Sequence, residues 1–281
     1  MPAPRPEDLV RLYPKRDFLI AEGKAGAPYM LAMHRAFYRY ASHELGEARR
    51  VLDAGCGTGI GTELLAGATR LAIGIDVKPP VLRYAATHHR EGGPRYAGMD
   101  ATVLAFADAT FDAIVADELL EHLPHPGAFL DEAVRVLRPD GVFLCATVNA
   151  LETFGSRDRP ANRNHFHEYD APAFRSELCR CFDEVTLLGQ AAGDSYRRHA
   201  GGLGARLVER GLMALGLKHW IPPELRSRVR SWLTGSDPAS LEDEEEFPVR
   251  EGDLAEAVYL VAVARKPRKE PSGGRAASSP T

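Results

Sequence analysis

Residues 51–61 read VLDAGCGTGIG, and the helix-forming run TELLA follows at once. Val51 and Leu52 lead into a corner that carries one acid, Asp53, and four glycines, Gly55, Gly57, Gly59 and Gly61. Such a stretch folds as a buried strand that stops at a sharp turn and continues as a helix. Glycine lets the backbone of the turn approach a ligand closely, because no Cβ intervenes. In a sheet covered by helices on both faces, a corner of this kind lies at the carboxyl edge, where ligands bind. The turn thus points to an α/β fold and to a bound cofactor.

The rest of the chain repeats the alternation. LAIGID (71–76) reads as a second strand, and PPVLRYAATHHRE (79–91) as a helix with proline in its first turn. RYAGMD (95–100) and FDAIVAD (111–117) read as strands three and four. PGAFLDEAVRVLRPDG (126–141) is a helix with Phe129, Leu130, Ala133, Val134 and Leu137 on one stripe, stopped by Pro139 and Asp140-Gly141. VFLCATVN (142–149) is a fifth strand, and DAPAFRSELCRCF (170–182) a helix with Asp170 as its N-cap. EVTLLGQ (184–190) and AVYLVAVARK (257–266) close the series as strands. Short apolar strands alternating with amphipathic helices predict a doubly wound, mostly parallel seven-stranded sheet with helices on both faces.

Five segments follow from this pattern. Residues 1–45 form an N-terminal helical segment and candidate active-site cover, with Leu31, His34, Phe37, Tyr38, Ala41 and Leu45 at helical spacing over 27–45. Residues 46–190 form the cofactor-binding core. Residues 191–250 interrupt the alternation with two helices, 203–217 and 223–233, and read as a helical insertion and candidate substrate lid. Residues 251–266 supply the last core strand, and 267–281, rich in Pro, Ser and Gly, a disordered tail.

Net charge is −4 over 281 residues, so no overall field draws the chain to nucleic acid or to an anionic membrane. The opening MPAPRPEDLV lacks the apolar stretch of a signal peptide, and no apolar run is long enough to span a bilayer. The four cysteines, Cys56, Cys145, Cys179 and Cys181, show neither a zinc pattern nor a disulfide framework. The reading is a soluble, cytoplasmic protein of a reducing compartment.

The glycines decide the cofactor. The dinucleotide spacing G-x-G-x-x-G fails, because Ile60 and Thr62 stand at the third-glycine positions. The phosphate-loop pattern fails for want of a lysine. An acid inside the turn would repel a pyrophosphate and favour a cationic cofactor. Asp53, Gly55, Gly57 and Gly59 instead match, position for position, the acid-x-Gly-x-Gly-x-Gly motif of the class I S-adenosylmethionine-dependent methyltransferases, which the chain resembles over about residues 46–190. The resemblance implies that the turn, Cys56 included, holds S-adenosyl-L-methionine. It also implies that Asp76 accepts from the ribose hydroxyls, that Asp100 and Ala101 read the adenine, and that Asp117 lies at the methionine end. Leu104-Ala105-Phe106 departs from the family's Leu-Pro-Phe, a change in loop stiffness.

A sulfonium methyl is already activated, so the protein's tasks are alignment and exclusion of water. A hydroxyl acceptor also needs a base. ADELLEHLPHP after strand four offers Asp117, Glu118, Glu121, His122 and His125, and its Glu-His pair resembles the family's small-molecule branch, which includes quinone-biosynthesis and sugar-modifying enzymes. NRNHFHEYD is similar to a segment of sugar and glycan methyltransferases, with Asn162, His165, Glu168 and Tyr169 matching and Arg163 in place of a proline. His122 and His165 are the candidate catalytic residues. His165 and His167 share a face if extended, but without a third firm ligand no metal is read. Arg197, Arg198, Arg206, Arg210, Arg226 and Arg228 make the insertion basic, while its acidic end, 242–246, would repel nucleic acid.

The expected activity is O-methylation of a small molecule such as a sugar, glycolipid or natural product. The acceptors considered include anionic and lipid-linked ones, with peripheral membrane contact left open. The alternatives are methylation of a quinone-like or polyketide ring at carbon or oxygen, and a non-catalytic protein that binds S-adenosylmethionine. The motif analysis predicts that S-adenosylmethionine and its demethylated product bind, whereas NAD and ATP bind poorly. Calorimetry that found NAD the tighter ligand would overturn the cofactor assignment.

Overall fold

A computed structural model describes residues 28–153, 160, 162, 164–194, 196–197, 243–252 and 254–268. The expected helices at 203–217 and 223–233, and most of the basic residues of the insertion, lie outside the described residues, as do 1–27 and 269–281.

The strands are β1 (Arg50–Ala54), β2 (Leu71–Asp76), β3 (Arg95–Gly98), β4 (Phe111–Asp117), β5 (Leu137–Val148), β6 (Phe182–Gln190), β7 (Val249–Arg250) and β8 (Tyr259–Pro267). They form one sheet in the order β3-β2-β1-β4-β5-β8-β6-β7. The first five pair in parallel, and β8 runs antiparallel between β5 and β6. All seven expected strands form. An eighth, the two-residue β7, adds to the edge of β6 through Gly189 and Gln190. Parallel neighbours need a crossover between them, and each is a helix or a long loop.

Helix α1 (Pro28–Glu44) precedes the sheet, α2 (Ile60–Ala68) follows β1, α3 (Pro79–His88) follows β2 and α4 (Pro126–Val136) follows β4. The short α5 (Ala150–Thr153) and α6 (Ala171–Cys179) follow β5. Asp170 caps α6 by accepting from the Ala173 amide at 2.8 Å. Several boundaries differ from the reading: α3 ends at His88, β3 at Gly98 and α6 at Cys179, with Phe182 opening β6; α4 ends at Val136, and Leu137–Pro139 already belong to β5. Pro139 disfavours helical backbone at the preceding residue, so the chain extends there and Leu137 pairs with Phe111.

The central strands are buried on both sides, so successive residues feed opposite layers. Leu52, Ile114 and Phe143 pack with Phe129 and Leu130 of α4 and Phe174 of α6. Val51, Val115 and Leu144 pack with Phe37, Tyr38 and Ala41 of α1 and Leu65 of α2. The helical stripe of α1 is therefore a core face, with Phe37 and Ala41 fully covered.

Where α1 crosses α2, the contact requires the absence of a side chain. A Cβ on Gly61 would stand 2.1 Å from Cζ of Tyr38. Helix propensity alone favours alanine over glycine by about 0.5–1 kcal/mol, but overpacking a tight core costs about 1–3 kcal/mol. Gly61→Ala is expected to destabilise the protein in urea titration. Gly67→Ala in the same helix, where a Cβ meets nothing within 4 Å, is expected to be neutral or stabilising. Equal effects would show that the α1–α2 contact is loose.

Candidate active site

The glycine turn is built on β1 and β2. The amides of Gly55 and Cys56 both donate to the Ile75 carbonyl at 2.9 Å, and the Gly59 amide donates to Cys56 O at 3.0 Å. Gly59 has φ +92°, and a Cβ there would meet Ala85 at 2.6 Å, so glycine is required on both counts. Gly57 differs: a Cβ on it would meet nothing within 4 Å, which leaves an open cradle on that side of the turn. Its amide donates to Asp76 Oδ2 at 3.2 Å, while Asp76 Oδ1 accepts from Lys78 N at 2.9 Å. Asp76, at the end of β2, thus joins the turn to the start of α3.

Asp53 is turned inward. It is completely buried, with Tyr38 donating to Oδ1 at 2.9 Å and Thr62 to Oδ2 at 2.5 Å. Burial pushes its carboxyl up to about 7, against the pull of the two hydroxyls. The expectation that Asp53 itself faces the ligand is corrected here: its oxygens lock the turn to α1 and α2.

Asp100 and Ala101 follow β3 and stand beside Asp76, whose carbonyl accepts from Met99 N. Asp100 Oδ1 accepts from the amide and hydroxyl of Thr102, both at 2.8 Å, and Ala101 is buried. The next loop lacks the family's proline, and Arg135 of α4 clamps it instead. Its guanidinium donates to the carbonyls of Leu104 and Phe106 and pairs with Asp108 and Glu132.

An acid cluster stands at the end of β4. Ala54 is paired with Ala116, so Asp117 stands level with Gly55, the first residue of the turn. His34 of α1 donates from Nδ1 to Asp117 Oδ2 at 2.5 Å, and its Nε2 lies 3.5 Å from Glu118 Oε2. Tyr259 of β8 donates to the other Glu118 oxygen. Glu118 has φ +49°, a strained backbone for a residue with a side chain, and such strain clusters at functional sites. Glu121, in a 3-10 turn (Leu120–His122), is fully buried, and neither oxygen has a hydrogen-bond partner among the described residues. Burial and the neighbouring Glu118 push it up to about 8. Burial alone would lower His34, but Asp117, Glu118 and Glu121 outweigh it and raise the imidazole to about 9.

His122 and His165 stand together, ring centroids 4.8 Å apart. His165 has both nitrogens engaged: Nε2 accepts from Asn162 Nδ2 at 2.9 Å, which leaves the proton on Nδ1 to face Glu168 at 3.1 Å. His122 Nδ1 donates to the Asn164 carbonyl at 3.1 Å. Amides of Phe166 and His167 donate to Glu121 O, so the 160s loop is sewn to the 3-10 turn. Asn149 serves the fold, donating to the carbonyls of Leu254 and Ala257. Among the described residues no three His, Cys, Asp or Glu side chains assemble as a metal site, and Asp117 pairs with His34.

The structure thus adds His34 and Tyr259 to the site, and gives Glu118 and Glu121 defined places in it. Sequence reasoning took His34 for a core residue of α1 and Tyr259 for a strand residue. The available signal was polarity: a histidine on an otherwise apolar helical stripe must find a partner when buried.

Comparison with known proteins agrees with this geometry. Residues 52–145 match the family model of the methyltransferase domain. A probable S-adenosylmethionine-dependent methyltransferase of Mycobacterium tuberculosis is 30% identical over 243 residues, covering 85% of this chain and 84% of that one. A ubiquinone biosynthesis O-methyltransferase of Methylococcus capsulatus is 36% identical over 111 residues, 38% of this chain and 47% of its own. Among solved structures, the 1,6-didemethyltoxoflavin-N1-methyltransferase of Burkholderia thailandensis, with bound 1,6-didemethyltoxoflavin and S-adenosylhomocysteine, superposes with a TM-score of 0.53 at 20% identity, over 95% of this chain and 91% of that one. The open cradle at Gly57, with Asp76 beside it, fits the donor these relatives share. The chain belongs to the S-adenosylmethionine-dependent methyltransferases, and S-adenosylmethionine is its methyl donor.

Proposed function

We propose that this enzyme methylates an oxygen of a small molecule: a sugar, a glycolipid or a related natural product. The observation that carries the reading is the buried cluster of His34, Asp117, Glu118 and Glu121 level with the glycine turn. A hydroxyl must lose its proton as it takes a methyl group, and this cluster offers groups that accept one. The partial likeness to ubiquinone biosynthesis O-methyltransferases supports oxygen as the acceptor and keeps a quinone-like ring as the second reading. The four cysteines of the chain are free thiols in the structure, which suits a cytoplasmic enzyme. A nucleic-acid acceptor is disfavoured by the acidic end of the insertion, whereas anionic or lipid-linked acceptors suit its arginines.

In this reading the turn at Gly55–Gly59 cradles the donor, Asp76 accepts from its ribose hydroxyls, Asp100 and Ala101 meet the adenine, and Asp117 borders the methionine end. The donor supplies a methyl group already activated on sulfur. His165 acts as a holder of the 160s loop, since its engaged nitrogens leave it no lone pair for an incoming proton, and His122 anchors the same loop through the Asn164 carbonyl. Glu118, just after β4, and Tyr259 of β8 orient the cluster.

Three outcomes test this. Mass spectrometry of extracts with and without enzyme is expected to show a 14-Da gain on a hydroxyl compound; gains confined to amines would refute the oxygen reading. Asp76→Ala is expected to weaken donor binding by about 1.5–3 kcal/mol, the range for a hydrogen bond to a charged group, in a chain that still folds. Replacing His122 or His165 with Ala is expected mainly to raise KM, whereas loss of a general base costs about 10²–10⁴-fold in rate.

The pH dependence has a definite sign. A proton acceptor works only when deprotonated, and the cluster holds its protons up to about 8 at Glu121 and about 9 at His34. The donor's kcat/KM, which reports the free enzyme, should therefore climb through the alkaline range. A plateau already reached at neutral pH, as an ordinary imidazole would give, would count against the cluster.

A further inference from the structure

At the acid-rich edge of the sheet, His34 is set deep among carboxyl groups. Around the His34 ring stand Asp117, the last residue of β4, Glu118 just after it, Glu121 from the 3-10 turn and Tyr259 from β8, the last with ring centroids 6.4 Å apart. One helical turn along α1, Tyr38 faces Asp53. His34 is 7% exposed, and its Nε2 has no hydrogen-bond partner among the described residues. A buried nitrogen in that condition, 3.5 Å from Glu118 Oε2, calls for an account of what it does.

The donor is itself a cation, with one positive charge on sulfur and another on its amine. Asp117 borders the turn that holds it, because Ala54 and Ala116 pair and the next residues are Gly55 and Asp117. Two cations brought into one poorly solvated site repel strongly. We infer that His34 and the sulfonium compete for one cationic place in this cluster: donor binding expels the imidazolium proton, and the neutral ring then takes the proton of the acceptor hydroxyl.

The step balances. The acceptor's O–H bond breaks and its proton goes to His34 Nε2; a C–O bond forms as the C–S bond breaks, and that electron pair stays on sulfur. The positive charge passes from sulfur to imidazole, so the net charge facing the acids is the same before and after. S-adenosylhomocysteine, which has no sulfonium, leaves His34 protonated. The base is thus made only in the donor-loaded enzyme. The raised affinity of His34 for its proton in the donor-free protein is the resting half of this exchange.

The second half of the inference rests on the oxygen-acceptor reading; the first does not, and it is the half measured. Titration calorimetry of the full-length chain at pH 8, in buffers of different ionisation enthalpy, counts protons. About one proton is expected to leave per S-adenosylmethionine bound, and clearly fewer per S-adenosylhomocysteine. His34→Gln should erase that difference. Equal release for the two ligands overturns the inference. So does a difference that survives in H34Q, which would assign the proton to Glu121 instead. His34→Arg plants a cation that cannot leave, and should weaken the donor by about tenfold or more relative to S-adenosylhomocysteine; an equal loss for both ligands overturns the inference, and if H34R does not fold, the H34Q counts decide alone. Correct proton counts with no hydroxyl compound methylated would refute the oxygen reading while the exchange stands.

Discussion

The Asp53 carboxylate, sealed from water between two hydroxyl groups, is the joint on which the site is assembled. Tyr38 brings α1 to it, Thr62 brings α2, and Asp53 itself ends β1. An ion buried without partners would cost several kcal/mol, so both hydroxyls must be delivered, and each delivery has a further requirement. Tyr38 reaches Asp53 only because Gly61 has no side chain in its path. Thr62 reaches it because α2 starts directly after the third glycine. Residues four apart share a helix face, so the lock at Tyr38 also turns His34 toward β4. The joint that stabilises the turn thereby sets the position of the chemistry.

The same arrangement concentrates negative charge. β1 and β4 are neighbours in the sheet, which sets Asp117 near enough to raise the proton affinity of Asp53 and of Tyr38 beside it. Glu118 and Glu121 add to the field within one short turn. Such a collection resists ionising fully, and it resolves the conflict by holding protons on Glu121 and His34 and by taking a hydrogen bond from Tyr259. A site in that condition has a standing affinity for a cation. That is the property a sulfonium donor exploits and a pyrophosphate ligand would suffer from.

Much of this was legible in the chain because it is local. The strand–turn–helix at 51–68, the alternation through β6, the N-cap at Asp170 and the buried face of α1 are each written within a few turns of sequence. What the chain concealed depends on distance. His34 and Asp117 are 83 positions apart, and Glu118 and Tyr259 are 141 apart; no spacing rule joins them. Asp53 was read as facing a ligand because the motif gives its identity but not its direction, which Tyr38 decides from fifteen positions away. His122 and His165 were singled out by their place after strands four and five and by the resemblance of their segments, and their bonding to Asn162, Asn164 and Glu168 became visible only once the 160s loop lay against the 3-10 turn. The extension of β5 back to Leu137 was foreshadowed by Pro139, whose effect on its predecessor the helical stripe had masked.

The site draws on two halves of the sheet that differ in kind. β1 to β4, parallel and joined by α2, α3 and the loop after β3, supply the turn, Asp76, Asp100 and the acids after β4. β8 runs the other way between β5 and β6, and contributes Tyr259 from its first residue, while α1 is held on the far side by Gln190 of β6 through the Met33 carbonyl. Asn149 binds the chain just before β8 through two carbonyls, so the position of Tyr259 is set independently of the glycine turn. The glycine turn and the acids therefore sit on the parallel half of the sheet, and His34 and Tyr259 reach them from α1 and β8. Side chains such as His34 and Tyr259 can then vary without change to the glycines of the turn, while Tyr38 keeps α1 fastened to Asp53.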